Sequence, residues 1–288
     1  MTNRNMNAPG YCDRPESNRI DRARDRDSDS DSDRLERFAR HIILPELGGA
    51  GQARLGQSRI VVIGAGGIGS PALQYLAGAG IGHIVIVDSD SVDAANLHRQ
   101  TIFAPADLGK SKARLAASWI GRFDPCITVR AVEERLTRDN AEAILSGADV
   151  VLDGCDNFAT RLAVSDSCVA LGVPLASAAI GRFQGQVANF AGHLPDQPCY
   201  RCYVGDAFDN DDCDTCAEQG VLGAFAGMIG CFGAMQAMRI LLDGVAALGD
   251  PQWGRLHLMD GLAPSLRTIR IAPDPACTAC ATVSAASG

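Results

Sequence analysis

IVVIGAGGIGS, residues 60–70, decides the fold. Ile60–Ile63 is a short, apolar, β-branched run, the pattern of a strand buried on both faces of a parallel sheet. Gly64, Gly66 and Gly69 follow as G-x-G-x-x-G, with Gly67 inside the motif, and the helical pattern PALQYLAGAG begins after Ser70. In a strand–turn–helix of this kind the glycines permit a tight turn, close approach of backbone to phosphate, and close packing of helix on strand. The helix N-terminus offers free N–H groups and the positive end of a dipole to an anion. A second apolar run, His83–Val87, ends at Asp88, about 20 residues past the glycines, where such folds hold a ribose hydroxyl. The stretch specifies a nucleotide site in an α/β fold.

The motif leaves two classes of nucleotide chemistry open. With a later acid it is the fingerprint of a nicotinamide dinucleotide site. Downstream of Asp88, however, come Asp90, then Asn96, Leu97, His98, Arg99 and Gln100 as NLHRQ, then GKSKA with Lys110 and Lys112. Hydride transfer has little use for several cations near the phosphates. Phosphoryl or nucleotidyl transfer requires them, because charge spreads over the phosphate oxygens and must be neutralised. Read without the glycines, Arg99 and Lys112 would be ordinary solvated surface charges.

The rest of the chain frames that site. Its 288 residues allow one large α/β domain or two small ones. A formal net charge of -8 argues against general nucleic-acid binding. No run reads as long and charge-free enough to span a membrane, and no signal-peptide core opens the chain. Residues 1–33, with RDRDSDSDSDR, lack apolar periodicity and read as a disordered tail. Residues 34–280 form the folded domain and 281–288 a C-terminal tail. Within the domain, helices are expected over Leu35–Leu47, Asp107–Ile120, Asp139–Leu145 and Thr160–Leu171. Strands are expected over Ile127–Val132, Asp149–Leu152, Pro174–Ala179 and Ser265–Ile271. The fourth of these apolar runs from the start, Asp149–Leu152, leads into DGCDN. Its Asp153, Asp156 and Asn157 stand at the C-terminal end of a parallel strand, where ligands bind in open α/β sheets. Cys155 between them reads as a packing residue.

Eleven cysteines include three C-x-x-C pairs, Cys199/Cys202, Cys213/Cys216 and Cys277/Cys280. Two such pairs supply the four thiolates of a structural zinc site. Spacing alone favours joining the two nearest pairs, and redox chemistry by one pair is the rival use. Thiols spread over a large domain suit a reducing compartment, so a cytoplasmic location is expected.

GAGGIG, IVDSD with Asp88 and Asp90, NLHRQ and GKSKA, in that order, resemble the ThiF/MoeB/HesA family of ATP-dependent adenylyltransferases. These relatives of ubiquitin-activating enzymes act on ubiquitin-like sulfur-carrier proteins. The likeness covers roughly residues 35–280. It implies a Rossmann-like, mostly parallel sheet flanked by helices, with a C-terminal part stapled by a four-cysteine zinc site. It implies that Gly64, Gly66, Gly67 and Gly69 cradle ATP and that Asp88 holds the ribose. Asp90, Leu97, Gln100 and Asn157 belong to the same nucleotide site by resemblance. Asn96, Arg99 and Lys112 would steady the phosphates, and Asp156, from the matched D-x-x-D-N, would bind ATP or its Mg²⁺. The segment with Arg37, Phe38, Arg40, His41, Ile42 and Leu44 matches a family motif whose second arginine enters the partner subunit's site, which implies a homodimer with Arg40 acting in trans. The family joins Cys199 and Cys202 to Cys277 and Cys280 around zinc. It places Cys216, in TCAEQGVLG, on a loop near the carrier's C-terminus, where a thiolate could take the activated acyl group.

The implied reaction is adenylation of the carrier's C-terminal glycine in a molybdopterin-synthase-type or thiamine-type pathway, with release of pyrophosphate. No rhodanese-like segment follows, so a sulfurtransferase is an expected partner. Two other classes stand beside it: a nicotinamide-dependent oxidoreductase, and a non-catalytic carrier-binding scaffold. GMIGCFGAMQAMRILL departs from the family at Gly233, Gln236 and Arg239, and Ala226 stands where proline is common.

Overall fold

The computed structural model describes residues 23–205 and 220–281, with side chains described from residue 33. Two helices precede the nucleotide stretch, α1 (Ala23–Ile42) and α2 (Gly48–Gln57). The core then alternates: β1 (Arg59–Ile63), α3 (Gly69–Gly78), β2 (His83–Val87), α4 (Lys112–Phe123), β3 (Thr128–Val132), α5 (Ala141–Leu145), β4 (Val150–Asp153), α6 (Phe158–Leu171) and β5 (Leu175–Gly181). β6 (Gln184–Phe190), α7 (Tyr200–Val204), α8 (Gly223–Leu241), β7 (Arg255–Asp260) and β8 (Ser265–Arg270) complete it.

One eight-stranded sheet runs β3-β2-β1-β4-β5-β6-β7-β8. The first five in that order pair in parallel, and β6, β7 and β8 continue antiparallel. The sheet is therefore mixed and mostly parallel, with helices on both sides. Alternation along β1 divides its side chains between two cores. Ile60 and Val62 face α3, α4 and α8, while Val61 and Ile63 face α5 and α6. β1 lies between β2 and β4, so the chain reverses its direction of growth across the sheet at this strand. A crevice opens outside the carboxyl ends of the strands at such a reversal.

Gly69 is the tightest contact in the stretch: a Cβ there would lie 1.7 Å from the carbonyl oxygen of Gly64. Backbone is on the far side, so neither element can yield without moving helix from strand. Gly69→Ala should lower stability by about 2–3 kcal/mol, read as a shift in urea midpoint. At Gly67 the same methyl would meet the flexible Arg99 side chain at 3.3 Å and the Ala226 Cβ at an ordinary 3.6 Å. Gly67→Ala should leave that midpoint nearly unchanged. Equal midpoints for the two variants would contradict the packing role given to Gly69.

Several boundaries differ from expectation. The expected helix Leu35–Leu47 ends at Ile42, because Pro45 follows and cannot continue it. Toward its N-terminus α1 instead extends back to Ala23, inside the stretch read as a disordered tail. A helix nucleated on Phe38, buried against the domain, propagates at little further entropic cost. The expected helix from Asp107 starts at Lys112: Gly109 sits at φ 76°, and Ser111 Oγ accepts the Arg114 N–H as the true N-cap. α8 is long and apolar enough, by length and composition, to cross a membrane, where no such run was expected. Its contacts with α3, β4, β5 and β6 are those of a core helix. Gly233 within it brings the helix onto the sheet, since a Cβ would stand 3.3 Å from both Ala178 and Leu152. Gln236 is buried there and accepts from Asn189 Nδ2 at 3.0 Å. Both departures from the family pattern thus have a packing use.

Candidate active site

The carboxyl ends of β1, β2, β4 and β5 open onto a cleft of about 1060 Å³. Gly64, Gly66 and Gly67 form its floor, and Gly64 takes φ 87°, a backbone that only glycine adopts without strain. Asp88 holds this loop in place. Its Oδ2 accepts the Ala65 N–H at 2.7 Å and its Oδ1 accepts the Asp90 N–H at 2.8 Å. Burial raises the Asp88 pKa, while those two N–H groups act against the rise. The carboxylate thus locks the turn and still faces the cleft with its remaining lone pairs.

Cations surround the loop. Lys112, the first residue of α4, is 5% exposed, and its Nζ donates to Asp90 Oδ2 at 3.0 Å. Arg99 donates from Nη1 to the Ala95 carbonyl at 2.9 Å, which anchors the side chain along the cleft wall. Asn96 accepts from Gln100 Nε2 at 2.9 Å, so the buried glutamine orients it. On the β4 side Asp156 is exposed to the cleft and makes no hydrogen bond to any described residue. A carboxylate so placed fits a divalent cation shared with phosphate.

Most of the residues expected at the site are therefore brought together, with five exceptions or qualifications. Gly69 seals helix against strand and does not line the cleft. Leu97 packs against the core beneath the loop. Asn157 lines the cleft, but its Oδ1 is the N-cap of α6, accepting the Thr160 N–H at 2.9 Å. Arg40 is exposed on α1, away from the cleft of its own chain. Cys213 and Cys216 lie outside the described residues.

The structure adds residues that motif reading missed. Arg161 of α6 reaches into the wall and pairs with Asp153 at 3.0 Å, both almost wholly buried. It also donates to Ser177 Oγ and to the carbonyls of Ala178 and Cys155. Asp153, unlike Asp156, has a structural role: it accepts the Cys155 N–H and fixes Arg161. Burial pushes the Cys155 thiol well above its ordinary pKa, which suits a packing residue and not a nucleophile. Arg182, at the β5–β6 turn with φ 47°, and Tyr200, Tyr203, Asp260 and Leu262 line the opposite half of the cleft. Only their assembly by the sheet marks them.

Cys199, Cys202, Cys277 and Cys280 converge, with all four sulfurs within 4.8 Å of one another. Sulfur separations are 3.5 Å for Cys199–Cys277, 3.4 Å for Cys202–Cys280 and 3.9 Å for Cys199–Cys202. A tetrahedral zinc with bonds of about 2.3 Å needs edges of about 3.8 Å. The Asp274 N–H points at Cys202 Sγ from 3.4 Å, as amides do toward metal-bound thiolates. The donor set fits zinc, and the pairing is between the first and last C-x-x-C turns, not between the two nearest.

Residues 38–279 match the ThiF family. The chain is 42% identical over 246 residues to the SAMP-activating enzyme E1 of Haloferax volcanii, covering 85% of this chain and 88% of that one. It is 40% identical over 253 residues to the sulfur carrier protein adenylyltransferase of Thermus thermophilus, covering 86% and 91%. Against mouse MOCS3, an adenylyltransferase and sulfurtransferase, it is 41% identical over 86% of this chain but only 53% of that protein. Among solved structures, Escherichia coli MccB superimposes with a TM-score of 0.72 at 18% identity, over 85% of this chain and 74% of that chain, a likeness of fold.

Proposed function

The chain belongs to the ThiF family, and from that premise we propose that it adenylates the C-terminal glycine of a ubiquitin-like sulfur-carrier protein at the expense of ATP. The observation that carries the reading is the buried Lys112 beside Arg99 over a glycine loop. Relatives named sulfur-carrier and SAMP-activating enzymes at about this identity support it.

The carrier's carboxylate attacks the α-phosphate of ATP, the acyl-adenylate forms and pyrophosphate leaves. A carboxylate already bears its charge, so no general base is required. The protein supplies orientation and cationic stabilisation. Gly64, Gly66 and Gly67 receive the phosphates and Asp88 the ribose. Lys112, Arg99 and Asn96 face the charge that builds on the phosphate oxygens. Asp156 would hold Mg²⁺, which when bound neutralises phosphate charge. Arg40 would reach the partner's cleft in a homodimer; its exposure on α1 leaves it available for that use. The half of the cleft walled by Arg182, Tyr203 and Leu262 would take the carrier's tail. Zinc at the four cysteines would tie the chain's end to α7. We place the enzyme in the cytoplasm, where ATP and thiolate-bound metal coexist, with a sulfurtransferase acting on its product.

ATP–pyrophosphate exchange with a panel of carriers ending in Gly-Gly tests the reading. Exchange that depends on one carrier, and disappears when its last glycine is removed, is the expected result. Binding of ATP with no exchange on any carrier would sink it in favour of a scaffold. Binding of NADH in place of ATP would overturn the nucleotide assignment itself.

A further inference from the structure

The two ends of β7 serve different cavities. Asp260 lines the nucleotide cleft, and Arg255, at the other end, lines a second concavity of about 570 Å³. Arg270 lines it too, and stands directly opposite Arg255 across the β7–β8 ladder. Side chains paired in this way share a face, about 4.5–5.5 Å apart at Cβ, and like charges so placed repel. Two residues along the same ladder, His257 Nδ1 and Thr268 Oγ1 share a hydrogen bond of 2.9 Å, and His257 meets Phe232 of α8 edge-on. The arginine pair is therefore on the α8 side of the sheet.

Arg239 of α8 does not line the concavity but stands beside it, tied to the backbone of Asp250. Arg239 donates from Nη1 to the carbonyls of Leu248 and Asp250, and its buried Nε has no hydrogen-bond partner among the described residues. Burial first, and then the charges of Arg239 and Arg255, lower the His257 pKa. Among the described residues none of these three arginines pairs with a carboxylate. Asp250 is the one acid in the lining, and its Oδ1 accepts the N–H of Gln252, itself held at φ 53°, so one carboxylate stands against two arginines there. Trp253, packed against the core, closes one wall.

We propose that this concavity is a second anion site, one that takes the phosphate group of a small molecule. Two opposed guanidiniums against the single Asp250 carboxylate leave the lining with an excess of positive charge for an anion to meet. Their planar forks match a phosphate oxyanion better than they match chloride. The volume lies in the range of small-molecule sites. The length of β7 separates it from the Asp260 wall of the nucleotide cleft, and the two linings share no residue.

Trp119 and Trp253 are the only tryptophans, so the full chain carrying Trp119→Phe reports on this wall alone. Its emission would be titrated with inorganic phosphate, pyrophosphate and AMP at constant ionic strength. A saturable change is expected, weakened about tenfold or more by Arg255→Gln and by Arg270→Gln, and unmoved by Arg99→Ala in the cleft. Tightest binding of pyrophosphate would name a free inorganic anion, and tightest binding of AMP a nucleotide-borne phosphate. Both arginines are exposed, so the variants should keep the parent's melting temperature. No saturable response to any of the three, a response that survives both substitutions, or one that follows Arg99→Ala would overturn the proposal.

Discussion

Lys112→Ala should cut carrier-dependent ATP–pyrophosphate exchange by about 10²–10³-fold, with little loss of stability. A lysine buried at the first residue of a helix is a poor choice for folding alone, since the helix dipole is positive there. Its one ion pair among the described residues is with Asp90, whose side chain remains 61% exposed and can be solvated once the lysine is gone. Removal takes one favourable charge from the half-buried Asp88, whose carboxylate keeps the Ala65 and Asp90 N–H groups, so the melting temperature should fall only slightly below that of the parent. Catalysis answers differently. The ammonium faces the cleft where charge develops on phosphate as the bond to pyrophosphate breaks, so the loss should fall on kcat more than on KM for ATP. Lys112→Arg should not restore it, because a planar fork does not fit a pocket closed around a compact ammonium. Asp90→Asn, which loosens the lysine without removing it, should give an intermediate defect. Near-parental exchange in Lys112→Ala, with intact folding, would remove the residue from the machinery.

The nucleotide half of this site was legible because it is local. Gly64 to Gly69, Asp88 and the loop from Asn96 to Lys112 follow one another in the chain, and each has a backbone or charge requirement that its residue type announces. Asp88 shows the limit even there. Its acid was legible, and so is a local turn onto the Asp90 amide, but its grip on the Ala65 amide emerges only when β1 and β2 pair. Leu97 sits within the same motif and turned out to be core, since an apolar side chain next to Asn96 can turn inward without altering the loop.

The acyl half was illegible for a physical reason. Arg161, Tyr203 and Leu262 come from α6, α7 and the β7–β8 turn, and only the sheet order places them around one volume with Arg182, whose RFQGQ segment reads from sequence as a fold feature and not as a site. No spacing rule links them. α2 was missed because GGAGQARLGQ has weak helix propensity; it forms because Leu55 and Gln52 are buried against the domain. Cysteine spacing by itself pointed to the wrong pair of turns, since distance along the chain says nothing about where the end of the chain returns.

That return makes the four-cysteine cluster the second sensitive point. Stripping metal with a chelator, or combining Cys277→Ser with Cys280→Ser, should lower the melting temperature by about 10–15 °C, on the scale of 3–5 kcal/mol for a structural staple. The short helix α7 is the reason the effect should reach the active site. Cys199 caps it and Cys202 lies within it, while Tyr200 and Tyr203 on the same helix wall the cleft. Tyr203 donates from its hydroxyl to Gln186 at 3.0 Å, and Arg201 holds Asp166 of α6 with two bonds of 2.7 and 3.0 Å. Once the sulfurs are released, the wall keeps those ties and the packing of Tyr200 but loses its covalent anchor, and it faces the region proposed for the carrier tail. KM for the carrier should therefore rise more than KM for ATP, because the glycine loop and Lys112 stand on other elements. Metal analysis of the purified protein gives the first check, with one zinc per chain expected. Zinc that survives loss of Cys277 and Cys280 but not of Cys213 would show that the nearest pairs hold it after all. A protein that melts at the same temperature with and without chelator would show that the end of the chain is held by packing, with the thiols incidental.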